Sequence, residues 1–201
     1  MSKGINVYDE VRRSFGTINE SREMEKRAAS DKPCIFLSHK SEDKEPVREI
    51  GEYIMNQDIN IYLDADDPEL IKADSENDHA KVTLFIERGI QCSSDIMVLI
   101  SEQTQKSWWV PFEIGYGKCA GKELVCQKLK GLVRLPSYLS IVNQLQDRTD
   151  LKGYLESVKA RLIKKAHDDQ GSRPSPFLRL TAILEDMERA KAPNKLELYL
   201  D

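Results

Sequence analysis

The chain predicts an α/β fold built on a doubly wound, open, parallel sheet, and three observations carry that expectation. Strand-like and helix-like segments alternate between residues 33 and 142. The strand candidates, "CIFLS" and "DIMVLIS" above all, are continuously apolar rather than alternating, as strands buried on both faces are. Connections between such strands are right-handed, so helices on both sides of an open sheet are the economical solution.

The elements follow in order. The first 30 residues are charged and rich in helix formers, with Val7, Val11 and Phe15 four apart, and predict an N-terminal helical extension (1–30) outside the core. From Pro33 the run "PCIFLS" reads as the first strand. Residues 41–56 read as a helix, with Val47, Ile50 and Ile54 at helical spacing and Pro46 near the first turn, where a missing N–H costs little. "INIYLD" at 59–64 is the second strand, and the acidic "ADDPELIKADSEND" after it reads as a long loop. "HAKVTLFIERGIQCS" predicts a helix with Val82, Phe85, Ile86 and Ile90 on one stripe. "DIMVLIS" is the clearest strand, "WWVPFEIGYGKCAG" the next helix, "ELVCQKL" a fourth strand and "SYLSIV" at 137–142 a weaker fifth. Helices at 150–166 and 176–192, separated by "DDQGSRPSP", complete the chain, the last belonging to a C-terminal helical extension (166–201).

With 201 residues, of which 40% are hydrophobic, a single core is expected. Acidic residues outnumber basic ones, 34 to 30, so no broad positive field exists for nucleic acid or an anionic membrane; small molecules and proteins are the expected partners. The longest strongly apolar run, "IMVLI", is far below the roughly 20 residues of a membrane helix. The N-terminus carries charges where a signal peptide has an apolar region, so a cytoplasmic location is the expectation. Cys34, Cys92, Cys119 and Cys126 form no CxxC pair, and His39, His79 and His167 are too scattered for zinc. Reduced structural thiols and no metal are expected.

In a doubly wound sheet, ligands bind beyond the carboxyl ends of the strands. That rule selects Ser38, His39 and Lys40 after the first strand, Asp64 to Asp67 after the second, and Ser101 to Trp109 after the third. In "SWWVPFEIGYG" two tryptophans, a phenylalanine and a tyrosine surround one acid, Glu113. With Ser107 as the cap, Trp108, Phe112, Gly115 and Cys119 are expected to form the buried stripe, with Trp109, Glu113 and Tyr116 in the adjacent row. Spacing alone leaves two readings of Glu113. One is a rim carboxylate whose charged form is disfavoured beside aromatic rings, fit for reaction chemistry; the other is a surface acid satisfied by Lys106 or Lys118.

Other motifs carry less. "GYGKCAG" has the wrong spacing for a dinucleotide fingerprint, and no GxxxxGK[ST] loop exists. "DSENDH" lacks the Gly and Glu of a calcium loop, with His79 and Phe85 in their places. Ser38 and His39 are neighbours on a strand end and point opposite ways, which argues against a nucleophile and base pair.

Taken together, "CIFLSHKSED", "INIYLD", "DIMVLIS" and "SWWVPFE" resemble a TIR domain, most closely the bacterial TIR-like branch, over residues 33–165. The resemblance implies a flavodoxin-like sheet of five parallel strands. It implies that Glu113 is the catalytic acid of NAD+ cleavage, that Trp109 lines the nicotinamide pocket, and that Ser38, His39 and Lys40 border the nucleotide. Asp64 would open the lid loop. NAD+ enters as substrate, with no cofactor and no metal. The resemblance further implies self-association through TIR contacts, a small-molecule acceptor in some members, and a separate effector protein that senses the product in anti-phage defence. Two alternatives stand beside the enzyme: a non-catalytic TIR scaffold, and a nucleoside-processing transferase of related topology.

Overall fold

The computed structural model describes residues 3–9, 32–65, 68–170 and 199–200. Five strands, β1 (Cys34–Ser38), β2 (Asn60–Tyr62), β3 (Asp95–Ile100), β4 (Glu123–Lys128) and β5 (Asn143–Leu145), form one sheet in the order β2-β1-β3-β4-β5. Every pairing is parallel; Ile35 lies opposite both Ile61 and Asp95, and Val98 opposite Cys126. The order reverses between β1 and β3, and such a switch point leaves a crevice at the carboxyl ends of those two strands.

The helices are α1 (Lys44–Asn56), α2 (Pro68–Ser75), α3 (His79–Gln91), α4 (Trp109–Cys119) and α5 (Arg148–Gln170). Alternate strand residues supply two cores, because successive side chains point to opposite faces. Phe36, Ile96, Val98 and Cys126 meet Val82, Ile86 and Ile90 of α3 and Val110 and Ile114 of α4. On the other face Ile35, Leu37, Met97, Leu99 and Val125 meet Val47, Ile50 and Ile54 of α1 and Leu151, Leu155 and Val158 of α5. Asp95, buried at the start of β3, accepts hydrogen bonds from the Tyr154 hydroxyl at 2.7 Å, the Ser94 hydroxyl at 2.6 Å and the Arg161 guanidinium. This pins α5 across the amino end of the sheet, leaving the carboxyl end open.

Four expectations are corrected. Residues 65–78 contain α2 rather than a loop: Pro68 opens the helix, Glu69 complements its first turn, and Ala73 is buried. With Ala73 its only buried residue, the helix hides inside a polar segment. Residues 137–141 form a 3-10 helix, not a strand, because Pro136 turns the chain and only Leu139 points fully inward while Ile141 faces solvent. The fifth strand is "NQL", an edge strand with two exposed polar residues and no apolar run to betray it.

The third correction concerns the N-terminus. Val7 and Tyr8 lie in the core rather than outside it. Asn6 forms a parallel bridge with Ile61, and its side chain grips both the N–H and the C=O of Leu63, at 3.0 and 2.9 Å. The expected amphipathic stretch beyond residue 9 lies outside the described residues, as does the helix expected at 176–192. Tyr199 and Leu200 return to the body: the Tyr199 carbonyl accepts from the Lys130 N–H at 2.9 Å, and Leu200 is buried.

The fourth is the inward stripe of α4, which is Val110, Glu113, Ile114 and Gly117. The helix starts at Trp109, so Trp108 falls on the preceding turn and is 93% exposed. Gly117 lets α4 approach β3 closely, since a Cβ there would lie 2.2 Å from Ile96 Cδ1.

No disulfide joins the four cysteines; Cys34 and Cys126 are buried strand residues whose thiols burial pushes up to about 12, while Cys119 is exposed.

Candidate active site

Beyond the carboxyl ends of β1 and β3 lies a cleft of about 370 Å³. Its size suits a small ligand. Ser38, His39, Lys40, Asp64, Trp109 and Glu113 all line it. The ends of β1 and β2 and the helix α4 supply these six residues.

Glu113 sits on the inward stripe of α4 and is 5% exposed. Among the described residues its hydrogen-bond partner is the Ser38 hydroxyl, which donates to Oε2 from the last residue of β1. Neither Lys106 nor Lys118 reaches it, so the surface-acid reading of Glu113 falls. Burial pushes its pKa up to about 7; the Ser38 hydrogen bond opposes that rise and the nearby charge of Asp64 adds to it. A carboxylate that titrates near neutrality at the base of a cleft is poised to change charge or to meet a cationic ligand.

The remaining residues form the walls. His39 turns its ring back on its own strand, with Nδ1 2.9 Å from the Leu37 carbonyl. A carbonyl only accepts, so that nitrogen carries the proton. Ser38 and His39 therefore engage different partners, as their position on a strand end requires. The Lys40 ammonium pairs with Glu42 at 2.8 Å and holds the Glu42 carboxyl below the usual range. Asp64 follows β2 by two residues. Trp109 is half-buried, edge-on to Phe112 at 6.1 Å between ring centres and tilted against His79 at 6.2 Å. The Ser107 hydroxyl accepts the Trp109 N–H at 3.2 Å, satisfying one of the amides the helix start leaves open.

Sequence reasoning missed one wall. Leu70, Ile71 and Asp74 of α2 face the cleft, as does Lys44; Lys106, inside the segment expected after the third strand, lines it as well. The segment holding α2 reads as a loop, and its only positive signal is Pro68 followed by Glu69, a helix-start pair. Among the described residues no group of three or more His, Cys, Asp or Glu side chains is placed to hold a metal ion. No described helix is long and apolar enough to cross a membrane.

A parallel sheet in the order 2-1-3-4-5, with a buried acid at its switch point and an aromatic wall beside it, defines a flavodoxin-like α/β domain with a ligand cleft. Residues 36–134, about half of the chain, match the family model described as the TIR-like domain of Thoeris protein ThsB, and over that stretch the chain is a TIR-like domain. Over 96 residues it is 29% identical to a Cytobacillus dafuensis protein named "Putative cyclic ADP-D-ribose synthase TIR2". That alignment takes in 47% of this chain and 25% of the relative, so the likeness spans about a quarter of the relative's length.

Proposed function

We propose that this protein cleaves NAD+ at the bond between nicotinamide and ribose and releases an ADP-ribose-derived nucleotide as a signal in anti-phage defence. The observation that carries the reading is the buried Glu113 carboxyl, held by Ser38 at the base of the cleft. The TIR-like family match and the name of the relative support it.

The chemistry asks little of the protein. As the C–N bond breaks, its electron pair returns to the pyridinium nitrogen and nicotinamide leaves neutral, with no proton required. Positive charge develops at the ribose anomeric carbon, and the Glu113 carboxylate stabilises it in a site shielded from water. Trp109 stacks on the nicotinamide ring and orients it. Ser38 fixes the carboxylate; His39 and Lys40 border the nucleotide, and Asp64 opens the loop over it. Water as acceptor gives ADP-ribose, the substrate's own adenine gives a cyclic form, and an added nucleophile gives a conjugate; each loses one proton to solvent on capture. NAD+ is substrate, and neither cofactor nor metal takes part. Self-association through TIR contacts and a separate effector that senses the product complete the proposal.

The test is mass-resolved analysis of NAD+ incubated with concentrated wild-type protein and with Glu113→Gln, with cell extract added as a source of acceptors and triggers. Turnover by wild type alone is expected, and the product mass identifies the acceptor. Intact NAD+ in every condition, with self-association preserved, would assign the chain to the non-catalytic scaffolds.

A further inference from the structure

Asp43 occupies the N-cap position of α1, where an aspartate ordinarily accepts from the amides of the first turn. It makes no such bond. Its Oδ2 instead accepts from two hydroxyls of the loop after β3, Ser101 at 2.5 Å and Thr104 at 2.6 Å. Helix stability alone does not explain that choice.

Thr104 is fully buried and is the centre of the connection. While its hydroxyl donates to Asp43, the same oxygen accepts the Lys40 N–H at 3.2 Å. Its carbonyl accepts the Ser107 N–H at 3.0 Å, and the Ser107 hydroxyl accepts the Trp109 N–H at 3.2 Å. Ser101 braces the turn by accepting the N–H groups of Gln103 and Thr104, both at 3.0 Å. One continuous hydrogen-bonded run therefore joins the Ser38–Lys40 rim to the start of α4, one turn before Glu113.

We propose that Asp43, acting through Thr104, is a positioning residue that fixes the separation of the two cleft walls and so sets Trp109 and Glu113 for reaction. The kinetic side of this inference rests on the reading of the cleft as an NAD+ site; the geometric side does not. Misplacement by about 1 Å from a remote change can cost about 100-fold in rate.

Thr104→Val keeps the volume and removes both hydroxyl bonds; Thr104→Ser keeps them; Asp43→Ala removes the acceptor from a half-buried position and serves if the valine variant does not fold. The chain has two tryptophans, both at the cleft. In a Trp108→Phe background, acrylamide quenching of emission thus reports Trp109 alone. Thr104→Val and Asp43→Ala are expected to raise quenching about twofold and to lower kcat for NAD+ at least 10-fold, with Thr104→Ser within about twofold of wild type on both. A lowered Tm with quenching and kcat/KM unchanged would overturn the proposal and leave Asp43 a purely structural brace. If wild type neither binds nor cleaves NAD+, the functional reading falls; quenching then decides the positioning role by itself, a rise supporting it and no change overturning it.

Discussion

The Ser38 hydroxyl donates to the Glu113 carboxyl across 75 residues of sequence, joining the end of β1 to the inward face of α4. The contact exists because the strand order places β1 beside β3, whose following helix crosses the same switch point. It is also a buried titration site, and its linkage to folding has a definite sign.

Glu113 has a folded pKa raised to about 7, above the value of a solvated glutamate. Between those two values the folded state binds more protons than the unfolded state, so stability falls as pH rises. The effect is absent below about pH 4, grows through neutrality and levels off above pH 8, with a total on the order of 3 kcal/mol. Glu113→Gln removes the titration while keeping an acceptor for Ser38. The variant is expected to melt roughly 5 °C or more above wild type at pH 8 and close to it at pH 4.5. Thermal scans across that range check the prediction.

The same titration should govern catalysis, because only the carboxylate stabilises a developing cation. For wild type, kcat/KM for NAD+ is expected to rise with pH and to level off above an inflection near 7. Ser38→Ala deletes the hydrogen bond that favours the charged form, moving the inflection upward; Asp64→Asn deletes the charge that opposes it, moving it downward. Opposite displacements in a pair of pH profiles are the expected outcome. Parallel ones would remove Glu113 from the rate equation.

Much of this architecture is legible in the sequence, for a reason visible in particular residues. β1, β3 and β4 lie inside the sheet and are read as apolar runs, while the stripe Val82, Ile86 and Ile90 announces α3 by its period. Because strand ends define the crevice, six residues expected at one rim do line one cleft. What fails is local. β5 is three residues long and polar at the edge, and α2 buries only Ala73, so neither has a hydrophobic pattern to read. The stripe of α4 is misjudged because its inward face contains an acid and a glycine, Glu113 and Gly117, where a hydrophobic search looks for rings. That exception to patterning falls at the candidate site, where such exceptions concentrate. The tie between Asp43 and Thr104 is invisible in sequence, since hydroxyls and acids that meet across loops leave no period.

Gly117 controls how closely α4 sits on the sheet. A Cβ there would collide with Ile96 Cδ1 and lie 3.3 Å from Leu124 Cδ2, and Ile96 is fully buried. Gly117→Ala gains about 1 kcal/mol of helix propensity but pushes α4 outward, at a cost of roughly 1–3 kcal/mol. Net destabilisation of about 1 kcal/mol is expected, together with weakened contact between Glu113 and Ser38. Gly115→Ala provides the control, because nothing lies within 4 Å of its Cβ, and is expected to raise stability slightly. Chemical denaturation of the two variants side by side separates packing from propensity.

Trp109 presents one aromatic wall, held by Phe112 behind it and His79 beside it. Its proposed contribution is orientation, which belongs to the transition state more than to binding. Trp109→Ala should therefore lower kcat for NAD+ by about 100-fold or more while KM rises by less. Trp109→Phe retains a flat ring on the same backbone and is expected to recover most of the loss, though with a smaller stacking surface. The half-buried position limits the stability cost of the alanine variant to about 1–2 kcal/mol, so both proteins remain folded for assay. Steady-state kinetics on the three proteins, with far-UV circular dichroism to confirm folding, checks the split. A KM effect with kcat unchanged would assign Trp109 to ground-state binding and shift the burden of orientation to Ser38 and Glu113.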